Sequence, residues 1–348
     1  MSSKNGAPAA LNTIKSDRPL TAPELLEQAG YSATAVIDGP IDRTVDIAKG
    51  LYVYKFRVRE DLLAFADVRD EFRTTRTQRY KNVGKDEDRA RIIVYSDPQW
   101  GKTDENGGTP ETARRSANIR AQVFADIERD KPGTTVMLDA GDGVENFFNV
   151  ASQSRTNDLS LTGQQRAYFA DTSEWATGLQ RRSSAFKHGV CISNHGREKG
   201  PAGYVDEPSA DYGFHNAWLL EQFFAAQGLA GEFHRPAGHS EAVALDVLGF
   251  KVGLVHGHLA ELEKWVKGQQ LGSTELANLD FIVAGHLHNP TFWYLSRNTV
   301  AVRGGALDNG SSWLTNITGQ SAPAGVVTFD IVRGRGFDSH SFRFYTEQ

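Results

Sequence analysis

Asp280–His288 reads DFIVAGHLH. A short apolar run meets a glycine and then two histidines one residue apart. The run is too short for an independent helix and has the composition of a buried strand. Alternate residues of an extended segment share a face, so His286 and His288 point the same way. Four more stretches repeat this form. RIIVYS (Arg91–Ser96) runs into Asp97-Pro98-Gln99, and TTVMLD (Thr134–Asp139) into Ala140-Gly141-Asp142-Gly143. GVCIS (Gly189–Ser193) runs into Asn194-His195-Gly196, and KVGLV (Lys251–Val255) into His256-Gly257-His258.

Between these strands lie long amphipathic stretches, which predict helices at about 110–130, 160–187, 211–227 and 259–270. Strands alternating with helices define an α/β domain, and in such sheets ligands bind outside the carboxyl ends of the strands. The segment 291–345 adds β-like runs at Thr299–Val302 and Gly325–Val332, parted by glycine-rich turns. Three polar loops, Pro98–Pro110, Gly196–Ala210 and Gly304–Ala324, are long enough to suggest function.

Upstream the grammar differs. Residues 1–20 are polar and patternless and read as a flexible tail. Thr21-Ala-Pro-Glu24 has the form of a capping box opening a short helix that Gly30 ends. LYVYKFRVR (residues 51–59) alternates Tyr52, Tyr54, Phe56 and Val58 with Lys55, Arg57 and Arg59, a strand with one wet face. The expected organisation is thus the tail 1–20, an N-terminal α+β extension over 21–89, and the domain carrying the repeated form over 90–348.

Composition narrows the function classes. With 38 basic against 43 acidic residues the formal net charge is −5, which argues against a generic nucleic-acid coat. Cys191 is alone, so neither an internal disulfide nor a cysteine-based zinc site can form. No apolar run reaches the ~18 residues of a membrane span and the start lacks a signal-peptide core, so a soluble, cytoplasmic protein is expected. All ten histidines lie between His188 and His340. Carboxylate, amide oxygen and imidazole without thiolate suit Mn²⁺, Fe²⁺ or Zn²⁺. Two aspartates, an asparagine and at least three histidines exceed the needs of one ion and fit a dinuclear site. Such a pair lowers the pKa of a bound water and clamps the oxygens of an in-line attack on phosphorus.

The ordered series Asp97-x-Gln99, Gly141-Asp142, Asn194-His195, His256 and Gly285-His286-x-His288 resembles the calcineurin-like metallophosphoesterases over about residues 90–332. The resemblance implies a four-layer α/β/β/α sandwich, preceded here by the small N-terminal extension, with two metals at the strand ends. It implies that Asp97, Asp142 and His288, with Gln99, hold one ion. Asp142 would bridge to a second held by Asn194, His256 and His286, with His195 as the catalytic non-ligand. Within that superfamily the chain looks most like the double-strand-break-repair nucleases of SbcD type, in the compact form that bacteriophages encode. YVYKFRVR, SDPQ…GKTDENGGT and RGGALDNGSSWLTNITG carry that finer likeness. It implies a nuclease using two divalent ions (manganese first, iron, zinc or magnesium otherwise) and a metal-bound hydroxide. DNA would be the substrate, an ATPase subunit and a second copy of the chain the partners, and the cytoplasm of a host cell the location.

The sequence departs from the family at three places. Gln99 replaces a histidine and offers only a neutral carbonyl oxygen. Ser193 replaces a glycine, and Gly196, followed by Arg197, replaces an acidic residue. Arg197 either contacts a phosphate by bidentate geometry or pairs with a loop carboxylate such as Glu198 or Asp206. For DNA, Arg69–Lys85 holds six basic residues against Asp70 and Glu71, a net +4, with Arg69, Arg73, Arg76 and Arg79 near helical spacing. A solvated helix face is the other reading. Arg114, Arg115 and Arg120 add candidate contacts, and Trp100, Phe147 and Trp313 either stack on a base or anchor loops. Two alternatives stay open: a phosphatase or small-molecule phosphodiesterase, and a catalytically weak DNA-end-binding module.

Overall fold

The computed structural model describes residues 12–29, 35–46, 51–60, 85–104, 107–148, 156–200, 203–204, 207–259, 261–272, 276–308, 310, 315–316, 319 and 321–347. The chain divides into two compact units, Met1–Gln78 and Arg79–Gln348.

The first unit is a three-stranded antiparallel sheet with one helix. β1 (Asn12–Ser16), α1 (Ala22–Gln28), β2 (Ala35–Asp46) and β3 (Leu51–Glu60) follow one another, and the strand order is β1-β3-β2. The capping box at α1 is present: the Glu24 carboxylate accepts from the Thr21 N–H at 2.8 Å and from its hydroxyl at 2.7 Å. Leu25, Tyr54 and Phe56 form its buried core, while Lys55 on the alternate face is exposed, as the alternation predicts. Part of the expected tail is a strand. Asn12–Ser16, polar in composition, pairs in register with Tyr52–Phe56 of β3, because backbone pairing supplies what its side chains do not advertise. Most of the basic segment, including Arg69, Arg73, Arg76, Arg79 and Lys81, lies outside the described residues.

The second unit contains β4 (Asp86–Tyr95), α2 (Thr109–Asp130), β5 (Pro132–Asp139), α3 (Leu161–Arg182) and β6 (Ala185–Val190). There follow the short hairpin β7 (Lys199–Gly200) and β8 (Gly203–Tyr204), then α4 (Tyr212–Gln227) and β9 (Glu232–His234). After them come β10 (Val243–Val247), β11 (Phe250–Val255), α5 (Leu262–Gly272), β12 (Phe281–Ala284), β13 (Thr291–Tyr294), β14 (Val300–Arg303), β15 (Gly325–Val332) and β16 (Gly336–Thr346). One sheet has the order β16-β15-β4-β5-β6-β9 and the other β10-β11-β12-β14-β13. The central strands β4, β5, β6 and β9 run parallel, as do β11, β12 and β14.

The two sheets face each other across one apolar core. Ile92, Val94, Val136, Leu138, Val327 and Phe329 from the first meet Leu245, Val252, Leu254, Phe281, Val283 and Val302 from the second. Each such side chain contributes ~1.5–3 kcal/mol on burial, so this layer holds the unit together. The outer face of the second sheet, with Ile282, Ala284 and Ala301, is covered by Leu262 and Val266 of α5. Helices α2, α3 and α4 lie against the first sheet. The architecture is therefore α/β/β/α, a mixed α/β fold.

Two boundaries differ from expectation. β4 starts at Asp86, so residues assigned to the N-terminal extension belong to the sheet of the second unit. Its polar start is concealed by ion pairing: Arg89 and Arg91 reach across to Asp330 of β15, and Arg91 also meets Asp130 at 2.9 Å. The helix expected to run to 187 stops at Arg182, where Ser183 takes extended dihedrals. β6 therefore begins at Ala185 and ends before Cys191. Among the described residues no helix is long and apolar enough to cross a membrane.

Candidate metal centre

The parallel strands β4, β5, β11 and β12 bring their carboxyl ends to one edge of the sandwich, and a side chain leaves each. Asp97 and Gln99 follow β4, Asp142 follows β5, His256 follows β11, and His286 and His288 follow β12. Backbone hydrogen bonds tie these loops together. Asp97 N–H donates to Gly141 O at 3.1 Å, Gln99 N–H to Asp142 O at 3.0 Å, and Gly285 N–H to His256 O at 3.1 Å.

The local backbone is unusual. Asp97, Gln99, Asp142, His286 and His288 all have positive φ, between 42° and 69°. Left-handed conformations cost a non-glycine residue on the order of 1 kcal/mol each and cluster where function demands a particular side-chain direction. The glycines allow the close approach. A Cβ on Gly141, itself at φ 96°, would lie 2.6 Å from Ser193 Cβ and 2.9 Å from His256 Nδ1. One on Gly285 would lie 2.7 Å from Asp97 Oδ2.

Two groups of donors result. In the first, ligand atoms of Asp142, His256 and His286 all lie within 4.8 Å of one another. His256 Nε2 is 3.1 Å from Asp142 Oδ2 and 2.9 Å from Asn194 Oδ1, and its Nδ1 is fixed by Ala140 O at 2.7 Å. In the second, His288 Nε2 is 3.3 Å from Asp97 Oδ1, a buried oxygen with no hydrogen-bond partner among the described residues. The Asp97 Oδ2 accepts from the His286 N–H at 3.1 Å and from the Ser96 hydroxyl. The second group departs from expectation at Gln99. Its Oε1 accepts from Lys102 Nζ at 2.7 Å, and Lys102 is ion-paired with Asp308. His288 Nδ1 lies 3.9 Å from the same Asp308 carboxylate.

The electrostatics favour positive charge at this edge. For His256, burial works against protonation, but Asp142 and then Asp97 outweigh it and push the pKa up to about 9. Asp142, buried, is held ionised well below the usual carboxylate range by His256 and His195. His286 goes the other way, to about 4, through burial and the neighbouring charge of His256. Deprotonated His286 beside the ionised Asp142 is the state a divalent ion requires, and His256 would give up its proton to bind one. The donor set and the orphaned Asp97 oxygen both fit such an ion.

His195 sits beside the first group. Its Nδ1 is 2.9 Å from Glu145 O and 3.3 Å from a Glu145 carboxylate oxygen, leaving Nε2 facing Asp142 Oδ2 at 3.9 Å. Burial opposes its charge, yet Asp142 and Glu145 push its pKa up to about 9. Its N–H donates to Asp142 Oδ1 at 2.9 Å, and Asn146 Nδ2 donates to the carbonyls of His195 and Arg197, at 2.8 and 3.1 Å. Arg197 pairs with Glu241, neither of the loop carboxylates considered from sequence. His258 also faces Glu241, at 3.6 Å.

Several candidate substrate contacts are already engaged within the protein. Arg115 donates to the carbonyls of Leu307 and Asp308 at 3.0 Å, Arg120 pairs with Asp171 and Glu174, and Arg114 meets Glu347. Trp100 is buried with its N–H directed at the Tyr95 hydroxyl. Phe147 stands edge-on to the exposed Phe148. Trp313 lies outside the described residues. The sequence motifs assigned no role to Lys102, Glu145, Asn146, Glu241 or Asp308, although Glu145 and Asn146 follow Asp142 in GDGVEN and Lys102 and Asp308 stand in GKTDENGGT and RGGALDNGSSWLTNITG.

No family model matches the sequence, and no curated protein matches it. Among solved structures the fold is similar to a conserved uncharacterized protein, predicted to be a phosphoesterase, from Streptococcus pneumoniae. That likeness has 11% identity and a TM-score of 0.28, and covers 74% of this chain and 98% of that one. It is also similar to Vps29 from Chaetomium thermophilum, at 11% identity and a TM-score of 0.33, covering 74% and 99%. The calcineurin-like phosphoesterase YfkN from Bacillus subtilis has 11% identity and a TM-score of 0.28, covering 76% and 91%.

Proposed function

We propose that the protein is a metal-dependent phosphoesterase of calcineurin-like type, acting as a manganese-dependent DNA nuclease of repair or recombination. The observation that carries the phosphoesterase reading is the grouping of Asp142, His256 and His286 within 4.8 Å, with Asn194 bonded to the same imidazole and His195 alongside. Asp142, Asn194, His256 and His286 would hold one ion, and Asp97 and His288, with Asp142, a second. Divalent ions there supply Lewis acidity, lowering the pKa of water and neutralising charge on phosphoryl oxygens.

The chain's own residues do the rest. Glu145 orients His195 by fixing Nδ1, so that Nε2 faces the position of a scissile phosphate. From there Nε2 hands a proton to the departing oxygen. Asp142 fixes the backbone of the same histidine, which couples the proton donor to the donor group that holds charge. DNA as substrate is supported by the net +4 of Arg69–Lys85. An ATPase subunit, a homodimer and a cytoplasmic setting complete the proposal.

The other reading is a phosphatase or small-molecule phosphodiesterase, which the same donor group would serve. The test is a panel of linear, nicked and hairpin DNA assayed with Mn²⁺, Mg²⁺ and Zn²⁺ beside an aryl phosphodiester and a cyclic nucleotide. Metal-dependent DNA cleavage is expected. Turnover of the small esters with intact DNA would replace the nuclease by a small-molecule phosphodiesterase.

A further inference from the structure

We infer that the ammonium group of Lys102 takes the place of one metal ion, so that the resting protein holds a single tight divalent ion at Asp142, Asn194, His256 and His286. This rests on the metal-dependent reading above, keeps its first ion and puts Lys102 in place of its second.

The second donor group is one ligand short, and the missing donor is accounted for. Lys102 is buried, and its Nζ sits 2.7 Å from Gln99 Oε1 while paired with the buried Asp308. A carbonyl oxygen directed at an ammonium group is a poor ligand for a divalent ion. The two cations would share one oxygen, and like charges a few ångströms apart in a buried site repel strongly. His288 is bracketed between Asp97 and Asp308, at 3.3 and 3.9 Å, rather than left free.

Charge agrees in direction. Lys102 already places a positive charge against Asp308 and Gln99, so a second divalent ion there would bring like charges together in a buried site, and uncompensated buried charge is strongly disfavoured. The chain supplies a fixed cation where a dinuclear centre would bind its second ion.

The test is metal analysis and electron paramagnetic resonance of the full chain, loaded with Mn²⁺ and desalted. Wild type is expected to retain one ion with the hyperfine pattern of an isolated Mn²⁺. Lys102→Met, and separately Lys102→Gln, should retain two exchange-coupled ions, with affinity for the second raised at least about tenfold. Two coupled ions in wild type would overturn the inference and leave the metal-dependent phosphoesterase standing. No retained ion in wild type would overturn both. A folded Lys102 variant still limited to one ion would remove Lys102 from the account. The wild-type spectrum decides even where the variants fail to fold.

Discussion

Lowering the pH should destabilise the second unit through one histidine remote from the proposed centre. His188 lies in β6 between Met137 of β5 and Phe233 of β9, with the Phe233 ring 5.8 Å away. It is fully buried, and neither ring nitrogen has a hydrogen-bond partner among the described residues. Burial, then the charges of Arg235 and His234, push its pKa down from 6.5 to about 3. The unfolded chain therefore binds a proton below pH 6.5 that the folded chain refuses until about pH 3. Its contribution is fully present above the unfolded value and is lost as pH falls through that window. Each pH unit is worth about 1.4 kcal/mol, so at pH 5, one and a half units below the ordinary value, the loss is about 2 kcal/mol. Urea unfolding of wild type and His188→Leu at pH 8 and pH 5, followed by tryptophan fluorescence, isolates this term because the other titrations are shared. Wild type should lose about 2 kcal/mol more than the variant between the two pH values. Equal losses would show that His188 is not held neutral by its surroundings, and the reasoning would fail.

Three further outcomes follow from the centre and its supports. His195→Ala should lower turnover by ~10²–10⁴-fold while the retained metal is unchanged, as expected of a proton donor; joint loss of metal and rate would make it a ligand. Arg197→Ala should cost within about 1 kcal/mol of stability in urea, since its partner Glu241 is partly exposed, and much less rate than His195→Ala. A rate loss as large as that of His195→Ala would place Arg197 on the substrate. In Gly143→Ala the new Cβ would lie 2.2 Å from the ring of Tyr168, whose hydroxyl donates to Asp139, so a destabilisation of ~1–3 kcal/mol is expected in the urea midpoint. An unchanged midpoint would mean that the Tyr168–Asp139 contact does not constrain the Asp142 loop.

What was legible in the sequence was what is local to a strand end. DFIVAGHLH shows its strand, its glycine and both imidazoles in nine letters, and β12 ends just before that glycine. The α/β class followed from alternation and the four-layer arrangement from the resemblance, and Gly325–Val332 is β15 to the residue. What stayed hidden depends on distant pairing. Lys102 and Asp308 are 206 positions apart, and nothing near either announces that they meet beside Gln99. The polar start of β4 was assigned to the N-terminal extension because Arg89 finds Asp330 only in the folded sheet. β1 was invisible because its pairing is carried by backbone, and Arg115 and Arg120 looked like phosphate contacts because their partners lie on other elements.

The central claim, that the edge holding Asp142, His256 and His286 is a metal-dependent phosphoesterase site, meets its most direct test in hydrolysis of bis(p-nitrophenyl) phosphate. The assay compares wild type and His286→Ala, each stripped of metal and titrated with Mn²⁺. The account predicts no turnover without metal, saturable turnover of wild type with Mn²⁺, and loss of both turnover and metal retention in the folded variant. Turnover by the variant equal to that of wild type, or wild type that retains Mn²⁺ but hydrolyses no phosphoester with any divalent ion, would contradict it.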